Sequence, residues 1–225
     1  MFLEISNFTL NLNHTMKISR PLVRKSISPN QFRNFIFAGR SIFTLENNET
    51  GNYLTFRVKQ MKRHGQPIDG QFTVECKSLG DKDYGYKLLG FVNTEARRFK
   101  RRYWDNSHLG VVTWMWLLKN IERLEAFSKL AIYHEGHCCK CGLPLTVPES
   151  IDSGIGPECQ KRVYAKSIGI LQERGLWNGK MTYEENFKNA LEQDPSLWGM
   201  LIIPEGFKKD DDYLVHRVLK AWDIF

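Results

Sequence analysis

His134-Glu135-Gly136-His137-Cys138-Cys139-Lys140-Cys141-Gly142, followed after a loop by Gly154-Ile155-Gly156-Pro157-Glu158-Cys159, is the stretch on which the reading of this chain turns. Cys138 and Cys141 form a Cys-x-x-Cys pair with Gly142 directly behind it. Two thiolates at that spacing can reach one tetrahedral ion, and the glycine allows the tight turn that aims backbone amides at sulfur. Cys159 is the natural third ligand. It follows Pro157, a residue favoured in a helix's first turn, where the dipole steadies a thiolate. His134 is the preferred fourth ligand, giving a Cys3His site. Its rivals are His137, which adjoins Cys138 and would chelate with strain, and Cys139, which lies between two ligands. Four of the five cysteines fall between 138 and 159, a clustering that points to metal rather than to buried thiols. Four protein ligands leave no open position, so the predicted zinc is structural.

The run Cys138, Cys141, Gly142, Leu145, Thr146, Pro148, Ser150, Gly154, Ile155, Gly156, Pro157, Cys159 resembles a small zinc-binding domain found in many phage and bacterial proteins. In that family a histidine stands four residues before the first cysteine, the place held here by His134. The resemblance implies the metal and a phage origin, and it names no activity.

Outward from the knuckle, 225 residues suffice for one sizeable core and a small satellite. No apolar run approaches the ~18 residues needed to span a bilayer. Clustered cysteines fit a reducing compartment, so the expected location is the cytoplasm, that of the host if the protein is phage-encoded. The net charge of +7 is uneven: residues 1–140 carry 22 Lys and Arg against 12 Asp and Glu, and residues 141–225 carry 10 against 13. A basic body favours a polyanion partner, and a mildly acidic C-terminal part favours a protein contact.

Residues 1–33 read as a basic arm or an edge strand, with Ser26 to Gln31 as loop. Residues 34–133 read as a sheet and a helix. Phe35–Ala38, Ser41–Leu45, Tyr53–Gln60, Phe72–Cys76 and Tyr84–Val92 are candidate strands, and Met61 to Gly70 is a polar loop. In the third strand Leu54, Phe56 and Val58 share one face, while Tyr53, Thr55, Arg57 and Lys59 share the other. Val111, Trp114, Met115, Leu118, Ile121 and Leu124 recur at helical spacing across Leu109–Phe127 and would cover the dry side of the sheet. Residues 134–175 hold the knuckle and the helix that follows it. Residues 176–225 form a helical extension, with a capping box at Thr182-Tyr183-Glu184-Glu185 and a last amphipathic helix after Asp210-Asp211-Asp212. The predicted class is α+β: an antiparallel meander covered by one helix, a treble-clef-like zinc knuckle and a C-terminal helical extension.

Arg97-Arg98-Phe99-Lys100-Arg101-Arg102-Tyr103-Trp104 places five cations and three aromatics within eight residues. Cations neutralise phosphates and aromatic faces stack on unpaired bases, so the segment points to single-stranded nucleic acid, DNA in preference. Tyr53, Arg57 and Lys59 on the wet sheet face, and Lys62 and Arg63 in the loop, would extend the track. The alternative for the segment is a solvated loop anchored by its aromatics.

Phosphate-loop, serine-hydrolase and His-Glu-x-x-His motifs are absent. A zinc-anchored nuclease of the treble-clef type would need an Asp-His pair between the cysteine groups, and residues 143–158 contain no histidine. The expectation is therefore a binding protein and not an enzyme, an accessory factor in phage-type transcription or replication. A different class remains open: an adaptor that engages a polymerase or other host or phage enzyme through its C-terminal helices and the terminal Trp222-Asp223-Ile224-Phe225.

Overall fold

The computed structural model describes residues 25–27, 29–77, 85–102, 108–204, 207 and 223–224. Its centre is one sheet built from β1 (Lys25–Ser26), β2 (Arg40–Asn47), β3 (Tyr53–Arg63), β4 (Gln66–Lys77), β5 (Tyr86–Asn93), β6 (Arg98–Arg101), β7 (Leu130–His134) and β8 (Asp223–Ile224). The order across the sheet is β1-β7-β2-β3-β4-β5-β6-β8. The six strands from β7 to β6 are antiparallel, and β8 lies parallel to β6. The chain is thus α+β.

Alternation drives the meander. Leu54, Phe56 and Val58 of β3 are buried, as are Phe43 and Leu45 of β2 and Phe72 and Val74 of β4. The stretch 61–70, read as a polar loop, is instead the end of one long hairpin. Arg63 pairs with Gln66 across His64-Gly65, whose φ values are 51° and 81°. Two successive left-handed residues match the strand twist and close the hairpin in two residues. Glycine takes this conformation freely, and a histidine at the first position hid the turn from the sequence.

Phe35–Ala38 is also corrected. It is not a strand, because Pro29–Ile36 forms helix α1. Phe32, Phe35 and Ile36 sit at i, i+3 and i+4 and are all buried, so helical spacing that begins at Phe32 prevails over a short apolar run. Phe32 meets the ring of Phe43 edge-on at 4.9 Å.

Helix α2 (Leu109–Asn120) covers the same side of the sheet. Trp114 is fully buried, with its ring 5.8 Å from that of Phe56 and 6.4 Å from that of Phe99. The helix stops earlier than its apolar stripe suggests. Asn120 turns its amide back onto the Trp116 carbonyl and accepts from Arg123, and Leu124–Ala126 continues as a 3-10 turn.

The C-terminal part comprises α3 (Pro148–Ser153), α4 (Pro157–Glu173), α5 (Tyr183–Gln193) and a 3-10 turn at Pro195–Gly199. Leu171, Phe187, Ala190, Leu191, Leu197 and Trp198 form a second apolar cluster there. The expected capping box is present: Thr182 accepts from the Glu185 amide, and Glu185 accepts from the Thr182 amide. A polar fastener joins the two clusters. Buried Arg33 of α1 donates to the Trp198 carbonyl and pairs with Glu122 at 3.6 Å, while the Trp198 indole donates to Glu122 at 3.0 Å. Among the described residues no helix is long and apolar enough to cross a membrane. The N-terminal arm up to residue 24 and the proposed last helix after Asp210 lie outside the described residues.

Candidate metal centre and nucleic-acid interface

Strand β7 leads into a tight hairpin. The Cys138 amide donates to Leu143 O at 2.8 Å, the Gly142 amide to Cys138 O at 2.8 Å, and the Leu145 amide to Gly136 O at 2.8 Å. Gly142 adopts φ 81°, the left-handed turn that a side chain would resist. Cys159 lies in the first turn of α4, just after Pro157. The thiols of Cys138, Cys141 and Cys159 all lie within 4.8 Å of one another.

This donor set fits a soft divalent cation. Burial works against the Cys138 thiolate, but the backbone amides of Gly156, Cys141 and Lys140 outweigh it and lower its pKa. The Gly156 amide reaches Cys138 Sγ at 3.3 Å. Cys159 is pushed up to about 12 by burial, a hydrogen bond with Cys141 and the neighbouring Cys138 charge. A metal ion bound among the three thiols would supply the positive charge that a thiolate at Cys159 lacks.

His134 is not with them, which corrects its reading as the fourth ligand. Strand alternation sends its buried ring to the core side of β7, opposite Phe43 and 5.7 Å from the ring of Phe35. Its Nε2 lies 2.7 Å from Ile151 O, and its Nδ1 accepts from the Gly136 amide at 3.1 Å. Both nitrogens are therefore committed. Cys139 is likewise a core residue: it is buried, and burial raises its thiol well above the ordinary range. Its backbone ties the knuckle to its neighbours, donating to Gly154 O at 2.9 Å and accepting from the Arg40 amide at 2.5 Å. His137 is exposed, with Nδ1 3.1 Å from Glu135 O, and lines an open groove with Arg40, Ile42, Glu135, Cys138 and Gly142.

Within the basic segment Arg98–Arg101 form strand β6. Arg98 and Lys100 of β6 are exposed, Arg101 is half-buried, and Arg102 follows with its guanidinium 5.7 Å from the centre of the Phe91 ring. Phe99 is corrected as a stacking residue: it is fully buried opposite Val92 and against Trp114. Arg97 is half-buried at φ 48°, its pKa lowered by burial and by Arg33 while Glu122 opposes the shift. Tyr103 and Trp104 lie outside the described residues.

On the outer face of the sheet, Arg57 pairs with Glu75 and lies 4.1 Å above the Tyr86 ring, while Lys59 reaches Glu75 at 3.4 Å. Two cations against one carboxylate leave a net positive charge. Tyr53 alternates onto the same face, and Lys62 and Arg63 stand exposed at the hairpin tip. Arg40, Tyr86 and Phe91 also occupy this face and escaped the sequence reading. For Tyr86 and Phe91 a bulge between Val74 and Glu75 shifts the pairing, so simple alternation along β5 does not assign their side.

A family model described as a family of unknown function (DUF6011) matches residues 128–164, the segment that carries β7, the three clustered thiols and the start of α4. No curated protein and no solved structure matches the chain.

Proposed function

We propose that this protein binds single-stranded nucleic acid, DNA in preference, on the outer face of its sheet and along β6, and that it acts as a binding factor rather than an enzyme. One observation carries the reading: Arg98 and Lys100 of the basic strand share a face with Arg57 and Lys59, and aromatic rings stand among them. Cations alone would suit a duplex as well as a single strand, whereas aromatic faces have a use only where bases are unpaired. Zinc is the metal that the thiol set suits best. It would be held by Cys138, Cys141 and Cys159, and it would fix the knuckle against β2 and the first turn of α4. Bound there it serves as a cross-link between hairpin and helix.

The test is a salt-dependent titration against matched single- and double-stranded oligonucleotides. Tighter single-strand binding that weakens steeply with salt supports the reading. Equal binding to both forms reduces it to nonspecific charge, and no binding at low salt removes it.

A further inference from the structure

The register of the outer face aligns one residue from each of five consecutive strands. Arg40 of β2 pairs with Lys59 of β3, Lys59 with Thr73 of β4, Thr73 with Phe91 of β5, and Phe91 with Lys100 of β6. Across four strand spacings this row is about 19 Å long. It contains three cations, a hydroxyl and one aromatic ring, and no carboxylate. Arg40 and Lys100 are exposed, and Lys59, Thr73 and Phe91 are half-buried. Phe91 belongs to neither apolar cluster. Phe91 has Lys100 across from it on β6 and the Arg102 guanidinium 5.7 Å from its ring centre, so an aromatic face and two cations meet outside the core, the combination that stacks and holds an unpaired base.

The row ends at the knuckle. A side-chain atom placed on Gly142 would lie 3.4 Å from Arg40 Nη1, and one on Gly39 would lie 3.5 Å from Lys140 Nζ. Arg40 and Lys140 thus bring two cations to the end of the row, beside the groove lined by His137 and Cys138. Glu75, two residues along β4 from Thr73, is engaged by Arg57 and Lys59, and Glu135 lines the groove at the knuckle end beside Arg40.

We infer that this cross-strand row is the track of a single nucleic-acid strand running from β6 to the knuckle, with a base stacked on Phe91 and phosphates on Lys100, Lys59 and Arg40. The inference rests on the proposed function and names its contact residues. Phe91 takes the stacking role that Phe99, buried beneath the sheet, cannot fill. Lys140 extends the phosphate path onto the knuckle, so an ion held by Cys138, Cys141 and Cys159 would steady the far end of the track without touching the ligand.

The experiment uses the full zinc-loaded chain and a fluorescein-labelled oligothymidine of about ten nucleotides, within the usual span of a single-strand site. Phe91→Leu keeps apolar volume and removes the π face, and Phe91→Trp restores one. Leucine is expected to weaken binding roughly tenfold and tryptophan to recover it. Arg40→Ala and Lys100→Ala are each expected to flatten the salt slope by about 0.7. Melting curves matched to wild type establish that each variant folds. If wild type binds and Phe91→Leu binds equally well, the track is wrong while the function stands. If wild type binds no oligonucleotide at low salt, the function itself falls.

Discussion

His134 Nε2 lies 2.7 Å from the carbonyl oxygen of Ile151, so the histidine of β7 ties the knuckle strand to helix α3. Replacing it with alanine leaves the half-buried Ile151 carbonyl and the Gly136 amide without this partner, at a cost of about 1–3 kcal/mol. The expected outcome for His134→Ala is a lower melting temperature with metal content unchanged. Serine at Cys138, Cys141 or Cys159 should abolish the metal. Elemental analysis of the purified variants decides the matter, and a metal-free His134→Ala would restore the histidine to the ligand set.

Metal removal should act locally. The core between β2 and β6 is made chiefly of hairpins that bury Phe43, Phe56, Val58 and Val74, to which the knuckle adds Cys139. A chelator under reducing conditions is expected to speed amide exchange across residues 136–159 and the first turn of α4. Exchange in β3 and β4 should hardly change. Unchanged exchange at the knuckle would show that the hairpin stands without an ion.

Gly90 and Gly169 predict opposite signs. A side-chain atom at Gly90 would collide with the Lys100 carbonyl and the Phe99 ring, so Gly90→Ala should prise β6 from β5 and cost about 1–3 kcal/mol. Nucleic-acid affinity should fall with it. At Gly169, inside α4, a side chain meets nothing within 4 Å, so alanine there should stabilise by about 0.5–1 kcal/mol through helix propensity. Denaturant melts of both variants test the pair, and a neutral Gly90→Ala would contradict the crowding.

Arg33 offers a test of the fastener between the two clusters. Its guanidinium is buried, and burial lowers its pKa although Glu122 works to hold the charge. Removing one partner of such a pair strands the other, at about 3–5 kcal/mol. Arg33→Met should therefore be strongly destabilising, and Arg33→Met with Glu122→Leu should recover part of the loss. A double variant no better than the single one would show that the Trp198 carbonyl, and not Glu122, is the partner that matters.

Local chemistry was legible in the chain and lateral pairing was not. Thr182 and Glu185 cap α5 as their three-residue spacing announces, and Cys138, Cys141 and Cys159 converge as theirs does. His134 was misread because four residues of separation suits chelation in a turn, whereas its position on β7 sends the ring to the buried face. Phe99 was misread for the same reason, since a basic segment pairing as a strand must bury every second side chain. Nothing within β5 marks Phe91 as the partner of both Thr73 and Lys100. That relation exists only once five strands are in register.

The strand order has a kinetic consequence. From β2 to β6 the sheet follows the chain, each strand pairing with the next through a short connection, and the two-residue turn at His64-Gly65 makes β3 and β4 the cheapest pair to close. Strand β7 must return from residue 130 to the free edge of β2 at residues 43–47. Folding is therefore expected to be ordered, with the β3–β4 hairpin as nucleus and the β7 edge joining late. The thiol hairpin is carried on that late strand, so metal capture becomes the closing event of assembly. Refolding followed by tryptophan fluorescence should then show one phase indifferent to zinc and a slower one that zinc accelerates.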